Sequence, residues 1–245
     1  MFKKGVKISF IFLGFFILST ILQVLFVGFF NHTWSPLMVI RNNEALGVNE
    51  QYSGQQRYVP IDSISPHLIL AVMCAEDQKF PEHNGFDFDA IEKAQEHNKT
   101  HDNKIGASTI SQQTAKNVFM WNGRNWVRKG FETYFTFLME TLWSKRRVME
   151  AYLNIIEMGD GIFGAEAAAR YYYDKSANDL TEHEAASIAA ILPNPKKWSP
   201  TEPDRKMARK IRNILKFMVK YKHLLDDLGI VRETAKNKKA KHPAR

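Results

Sequence analysis

Residues 8–30 carry no charged side chain and only a handful of polar ones. The hydrocarbon layer of a bilayer is crossed by about 20 helical residues, so this run has the length and composition of a transmembrane helix. Everything after it must then fold on one side of a membrane. A cleaved secretory signal would have an apolar stretch of roughly 7–15 residues followed by a small-x-small site. The segment Val27-Gly28-Phe29-Phe30-Asn31-His32 offers no such site. Lys3, Lys4 and Lys7 precede the run, whereas no Lys or Arg follows it until Arg41. Cationic flanks stay in the cytoplasm, which predicts a cytoplasmic N-terminus over 1–7, a single-pass anchor over 8–30 and an extracytoplasmic remainder.

The anchor decides how the charge is read. A formal net charge of +8 would suggest nucleic acid for a soluble basic chain. Beside a bilayer it suggests anionic lipid headgroups or phosphate, and argues against nucleic acid as a partner. Residues 226–245 are basic and without apolar periodicity, the pattern of a disordered tail. The single cysteine, Cys74, lies within the apolar run Leu68-Ile69-Leu70-Ala71-Val72-Met73-Cys74-Ala75 and reads as a small buried hydrophobe, so no intrachain disulfide can form.

Residues 31–62 have scattered Gly, Pro, Asn and Gln and read as a connector, with one short extended piece around Gln56 to Pro60. From about Ser65 apolar residues recur at helical spacing through 66–76, 108–120, 126–143, 145–157, 164–173, 181–192 and 203–224. Thr181 with Glu184 has capping-box spacing, and Pro193-Asn194-Pro195 stops that helix. Strand-like alternation is nearly absent. The expected fold is therefore one all-α domain over 63–225, bilobed, attached to one N-terminal transmembrane helix.

Three segments have chemical potential. Glu76 and Asp77 close an apolar helical run, so at least one carboxylate sits at the edge of a core; desolvation and the negative helix end would raise its pKa, which suits a general base. A solvated helix end is the alternative. In Gly106-Ala107-Ser108-Thr109-Ile110-Ser111-Gln112-Gln113-Thr114-Ala115-Lys116-Asn117 a hydroxyl cap is followed by amides and a lysine, which can bind sugar hydroxyls or phosphate oxygens, or simply form a polar surface. Arg124, Arg128 and Glu132 fall at i, i+4 and i+8, with Lys129 alongside. They make either a surface ladder worth about 0.2–0.5 kcal/mol per pair, or an anion site in which Glu132 orients the cations or holds a divalent metal. His97 and His101 are four apart, but Asn98 stands where a metalloprotease motif has Glu, and the surroundings read as polar loop.

Taken in this order, the segments resemble glycosyltransferase family 51, the peptidoglycan polymerases, and within it the monofunctional transglycosylase branch. The carriers are Glu76-Asp77-Gln78-Lys79-Phe80-Pro81-Glu82-His83-Asn84-Gly85-Phe86-Asp87, the segment from Gly106 to Asn117, Arg128-Lys129 with Glu132, and Lys145-Arg146-Arg147-Val148-Met149-Glu150-Ala151-Tyr152-Leu153-Asn154, followed by Leu192-Pro193-Asn194-Pro195. The resemblance implies a lysozyme-like fold and polymerisation of lipid II into β-1,4 glycan with release of undecaprenyl diphosphate, on the periplasmic face of a bacterial inner membrane. It implies Glu76 as general base and Glu132 as a second essential carboxylate, near the diphosphate and its Mg²⁺ or Mn²⁺. Lys116, Arg124, Arg128 and Lys129 would serve the donor; Gln112, Gln113, Ser108, Asn117 and Asp77 would line the groove; Glu150, Tyr152 and Asn154 would support the fold. The expected partners are lipid II, the growing glycan strand and membrane lipids, with room for cell-division or elongation proteins. No Ser-x-x-Lys motif occurs in the chain, so no transpeptidase activity is expected. A lytic hydrolase is the rival reading, but it has no use for clustered Lys and Arg at a neutral leaving group.

Overall fold

The computed structural model describes residues 2–30, 35–40, 57–121, 123 and 125–230. Its helices are α1 (Phe2–Phe29), α2 (Pro66–Glu76), α3 (Phe88–Thr100), α4 (Ile110–Phe119), α5 (Trp126–Leu142), α6 (Lys145–Ile155), α7 (Ala165–Tyr173), α8 (Glu182–Ile191), α9 (Arg205–Lys220) and α10 (Leu224–Asp227). The one sheet among the described residues is a hairpin of β1 (Glu157–Gly159) and β2 (Ile162–Phe163), antiparallel, with Glu157 opposite Phe163 and Gly159 opposite Ile162. The all-α expectation holds.

α2 is the central helix. Pro66 occupies its first turn, where a missing N–H costs nothing, and Leu68 through Cys74 are all buried. Being apolar all round, it must be wrapped, and α8 and α9 pack against it. The small side chains of Ala185, Ala186, Ala189 and Ala190 on α8 are fully buried and leave room for close approach. α9 turns Met207, Ile211, Ile214 and Met218 inward at i, i+4, i+7 and i+11. Each fully buried large apolar side chain contributes about 1.5–3 kcal/mol. α4 packs on α5 and α6, forming a second group of helices beside the first.

The helix starts follow local chemistry. Thr109 and Gln112 form a capping box at α4, and Thr181 and Glu184 form the expected one at α8. Asn125 caps α5, accepting from the Arg128 N–H at 2.7 Å. The segment leading to His97, read as loop, is helical instead, and His101 is the extended residue that ends that helix. α3 starts at the Asp87 cap and has Ala94 as its one buried residue, so no apolar stripe exists in the sequence to reveal it. Leu228 and Ile230 are buried beyond α10, so the packed region runs past residue 225. Residues 231–245 lie outside the described residues, as does most of the expected connector.

Within α1, Lys7–Phe29 is long and apolar enough to cross a bilayer. It does not stand clear of the rest. One side of it packs along α5, with Phe16 against the rings of Phe131 and Tyr134, Thr20 bonded to the Tyr134 hydroxyl at 2.7 Å, and Val24 fully buried.

Candidate active site

Glu76 ends α2, where Asp77 leaves helical geometry at φ −160°. Its carboxyl is pushed above the ordinary carboxylate range, chiefly by burial and further by the neighbouring Asp77; the Gln113 amide and the Lys210 ammonium pull the other way. Gln113 on α4 donates from Nε2 to Glu76 Oε2 at 2.9 Å, while its Oε1 accepts from the Tyr152 hydroxyl at 3.3 Å. Tyr152 is fully buried, and burial lifts its phenol well above the usual value, so it stays a neutral donor. A tyrosine that donates fixes which way the Gln113 amide faces, and so commits the NH₂ group to Glu76. Among the described residues Glu76 Oε1 has no hydrogen-bond partner. The result is a carboxylate with one oxygen pinned, the other available, and a pKa raised by burial.

Asp77 has a different task. Its Oδ2 accepts from the Ile110 N–H at 3.0 Å, and both its oxygens face His83 Nε2 at 3.0–3.1 Å. His83 Nδ1 accepts from the Gly85 N–H at 3.1 Å, so the ring is the neutral Nε2–H tautomer and donates to Asp77. With a side-chain exposure of 3%, Asp77 fastens the loop after α2 to the start of α4. Gln112 is likewise occupied, its Oε1 accepting the Thr109 N–H at 3.1 Å. Ser108 and Lys116 are exposed, and Asn117 is buried on α4.

The second carboxylate lies on α5. Glu132 is 3% exposed; Oε2 accepts from Arg128 Nη1 at 2.9 Å and Oε1 accepts from Lys129 Nζ. Arg128 Nε is buried and has no hydrogen-bond partner among the described residues. A buried donor left unbonded is costly, and an acceptor-rich anion is what it lacks. Arg124 lies outside the described residues, and α5 starts after it at Trp126. α4 supplies Gln113 to the Glu76 network and packs on α5, which carries the other.

These two carboxylates on separate helices, one raised in pKa by burial and one paired with cations, sit within a region that matches the family described as Transglycosylase over residues 42–219. The chain belongs to that family. Biosynthetic peptidoglycan transglycosylases are similar to it: that of Bacteroides thetaiotaomicron is 49% identical over 216 residues, covering 88% of this chain and 87% of the relative. That of Caulobacter vibrioides is 51% identical over 180 residues, 74% and 76% of the two chains. That of Shigella boydii is 55% identical over 172 residues, 69% and 71%. The transglycosylase described here is a peptidoglycan glycosyltransferase of cell-wall synthesis.

The transglycosylase does not build a metal site around Glu132 by itself. Both carboxylate oxygens are taken by cationic donors, and no group of three His, Cys, Asp or Glu that could hold an ion occurs among the described residues.

Two residues escaped the sequence reading. Lys210 on α9 reaches within electrostatic range of Glu76 while donating to the Ala190 carbonyl at 2.8 Å. Its position among six other basic residues of an amphipathic helix gave no signal. His83 lies within the motif that runs from Glu76 to Asp87, but its tautomer depends on the Gly85 N–H, which only the folded loop brings to it.

Proposed function

We propose that this transglycosylase polymerises lipid II, joining disaccharide units through β-1,4 bonds with release of undecaprenyl diphosphate, in a single inverting displacement with Glu76 as base. The observation that carries the reading is the two-sided character of α5. Its inner side holds Arg128 and Glu132. Its outer positions Trp126, Val127, Gly130, Thr133, Phe137 and Thr141 are exposed and without charge, and the same helix packs along α1. A substrate with an anionic diphosphate and a polyprenyl chain needs such cations next to such a surface.

In the proposed step the acceptor's 4-hydroxyl gives its proton to Glu76 Oε1 as its oxygen bonds to the donor's anomeric carbon. The bond from that carbon to the diphosphate oxygen breaks on the opposite face, so the α-linked donor yields a β-linked product. The charge gathering on the diphosphate meets Arg128 and Lys129, with Nε of Arg128 unspent. Lys116 and Arg124 complete the donor side, while Gln112, Asn117 and Ser108 shape the groove. In the proposed topology the N-terminus is cytoplasmic and the catalytic domain lies on the periplasmic face of an inner membrane; the apolar span with its cationic N-terminal flank supports this reading. Without a Ser-x-x-Lys motif, the chain is proposed to make glycan without cross-linking it.

Detergent-solubilised protein incubated with labelled lipid II tests the reading. Lysozyme-sensitive polymer that forms in the presence of penicillin, and is lost in Glu76→Gln, supports it. Folded wild-type protein that makes none contradicts it.

A further inference from the structure

The anchor of a membrane enzyme can be a passive tether, in which case nothing in the folded domain needs to touch it. Here the contact is specific along its length. Phe16, Thr20, Val24 and Gly28, each four residues on, meet Phe131, Tyr134 and Trp143. Trp143 Nε1 donates to the Val24 carbonyl at 3.0 Å. Gly28 comes so close that a Cβ there would lie 2.4 Å from that same nitrogen.

The end of α1 is held by one side chain. A helix leaves its last four carbonyls without intrahelical donors and with partial negative charge. Arg147, on α6, donates from Nε to the Gly28 carbonyl at 3.0 Å and from Nη2 to the Val27 and Phe30 carbonyls, both at 2.9 Å. Its Nη1 donates to Glu150 Oε1 at 2.8 Å, and the guanidinium lies 5.5 Å from the Trp143 ring centre. Glu150 in turn accepts from the Tyr58 hydroxyl at 2.6 Å and the Ile61 N–H at 2.9 Å. One Arg–Glu pair thus joins the anchor's end, α6 and the chain segment that enters the domain.

We propose that Arg147 is a positioning residue: it clamps the anchor to the catalytic domain and so sets the depth in the bilayer at which α5 presents Arg128 and Lys129. The fork geometry is essential, because only a planar guanidinium reaches three carbonyls and a carboxylate together; a lysine ammonium carries the charge without that reach. Depth matters because a lipid-linked diphosphate is confined to the membrane, and displacement of the site by even 1 Å can cost orders of magnitude in rate. The functional half of this inference rests on the lipid-linked substrate proposed above. The clamp itself does not.

The test uses full-length protein with Val127→Cys carrying a nitroxide, reconstituted in vesicles of phosphatidylglycerol and phosphatidylethanolamine. Power-saturation measurements report the depth of the spin label in wild type, Arg147→Ala and Arg147→Lys. Gly28→Leu attacks the same junction from the anchor's side, and thermal unfolding in detergent checks that each variant is folded. The expected result is a shifted or broadened depth in all three variants. Turnover of long-chain lipid II in vesicles should fall about tenfold or more, with little change for a short-chain analogue dispersed in detergent. An unchanged depth, or equal losses in vesicles and detergent among folded variants, would overturn the proposal. Wild-type protein inactive on either substrate would count against the lipid II reading alone, and label depth would still decide the clamp.

Discussion

Replacing Glu76 by Gln separates two properties that a buried base places in opposition. The substitution keeps shape and an acceptor oxygen for Gln113, but removes the group that takes the proton. General-base catalysis is worth roughly 10²–10⁴-fold, or about 3–5 kcal/mol of transition-state stabilisation, and polymer formation should fall by that factor. Stability should respond differently. The one side-chain hydrogen bond at stake is that from Gln113 at 2.9 Å, and making it neutral costs about 1 kcal/mol. Against this, the folded state holds the Glu76 proton to higher pH than the unfolded chain does, because burial penalises the ionised form. A group shifted in that direction contributes stability fully present below the unfolded value, near 4.3 for Glu, and lost as pH rises through the folded value. Gln does not titrate, so its stability relative to wild type should improve as pH rises from the unfolded value through the folded one, and level off above it. Thermal unfolding of both proteins in one detergent across that range, with polymer yield measured in parallel, checks both halves. A melting difference independent of pH, or moving in wild type's favour as pH rises, would refute the desolvation argument. Polymer yield within about tenfold of wild type would refute the base assignment.

Glu132→Ala leaves Arg128 buried beside an empty partner position; breaking a buried pair of this kind costs about 3–5 kcal/mol, so the melting temperature should fall by roughly 6–20 °C in circular dichroism, unlike Glu76→Gln. Lys129 adds little to that loss, being 40% exposed. Lys210→Met removes the one ammonium among the described residues that counters burial at Glu76; with Gln113, Asp77 and Tyr152 the other groups facing that carboxyl, the acid limb of the rate profile should move to higher pH, with a larger loss on that limb than on the alkaline side. Thr109→Val deletes a cap that accepts the Gln112 N–H at 3.1 Å and a bond to the Gly85 carbonyl at 2.7 Å, and should lower stability by about 1–2 kcal/mol in a denaturant titration.

How much of this could be read before folding differs from one element to the next. α2, α5, α8 and α9 were legible because an apolar stripe or a continuous apolar run is a property of the sequence alone. α3 was not, since its Asp87 cap holds a helix that buries almost nothing. Local spacing placed Arg128, Lys129 and Glu132 on one helix, and the structure joins them. Gln112 and Gln113 are adjacent and identical in chemistry, yet one is consumed in a capping box and the other reaches Glu76. Which of the two does which depends on the phase of the helix relative to α2, a tertiary fact. Lys210 meets Glu76 across a long stretch of chain, and no local pattern encodes that approach.

The lone cysteine has a practical consequence. Cys74 stands two residues before Glu76, is 3% exposed, and its thiol is pushed up to about 12 by burial. Reagents such as maleimides attack thiolate, which this side chain does not form near neutral pH. Toward them the wild-type chain behaves as though it had no cysteine. Single cysteines can therefore be introduced along α1 or the outer face of α5 and modified in the wild-type background, without touching a residue buried in the core of α2.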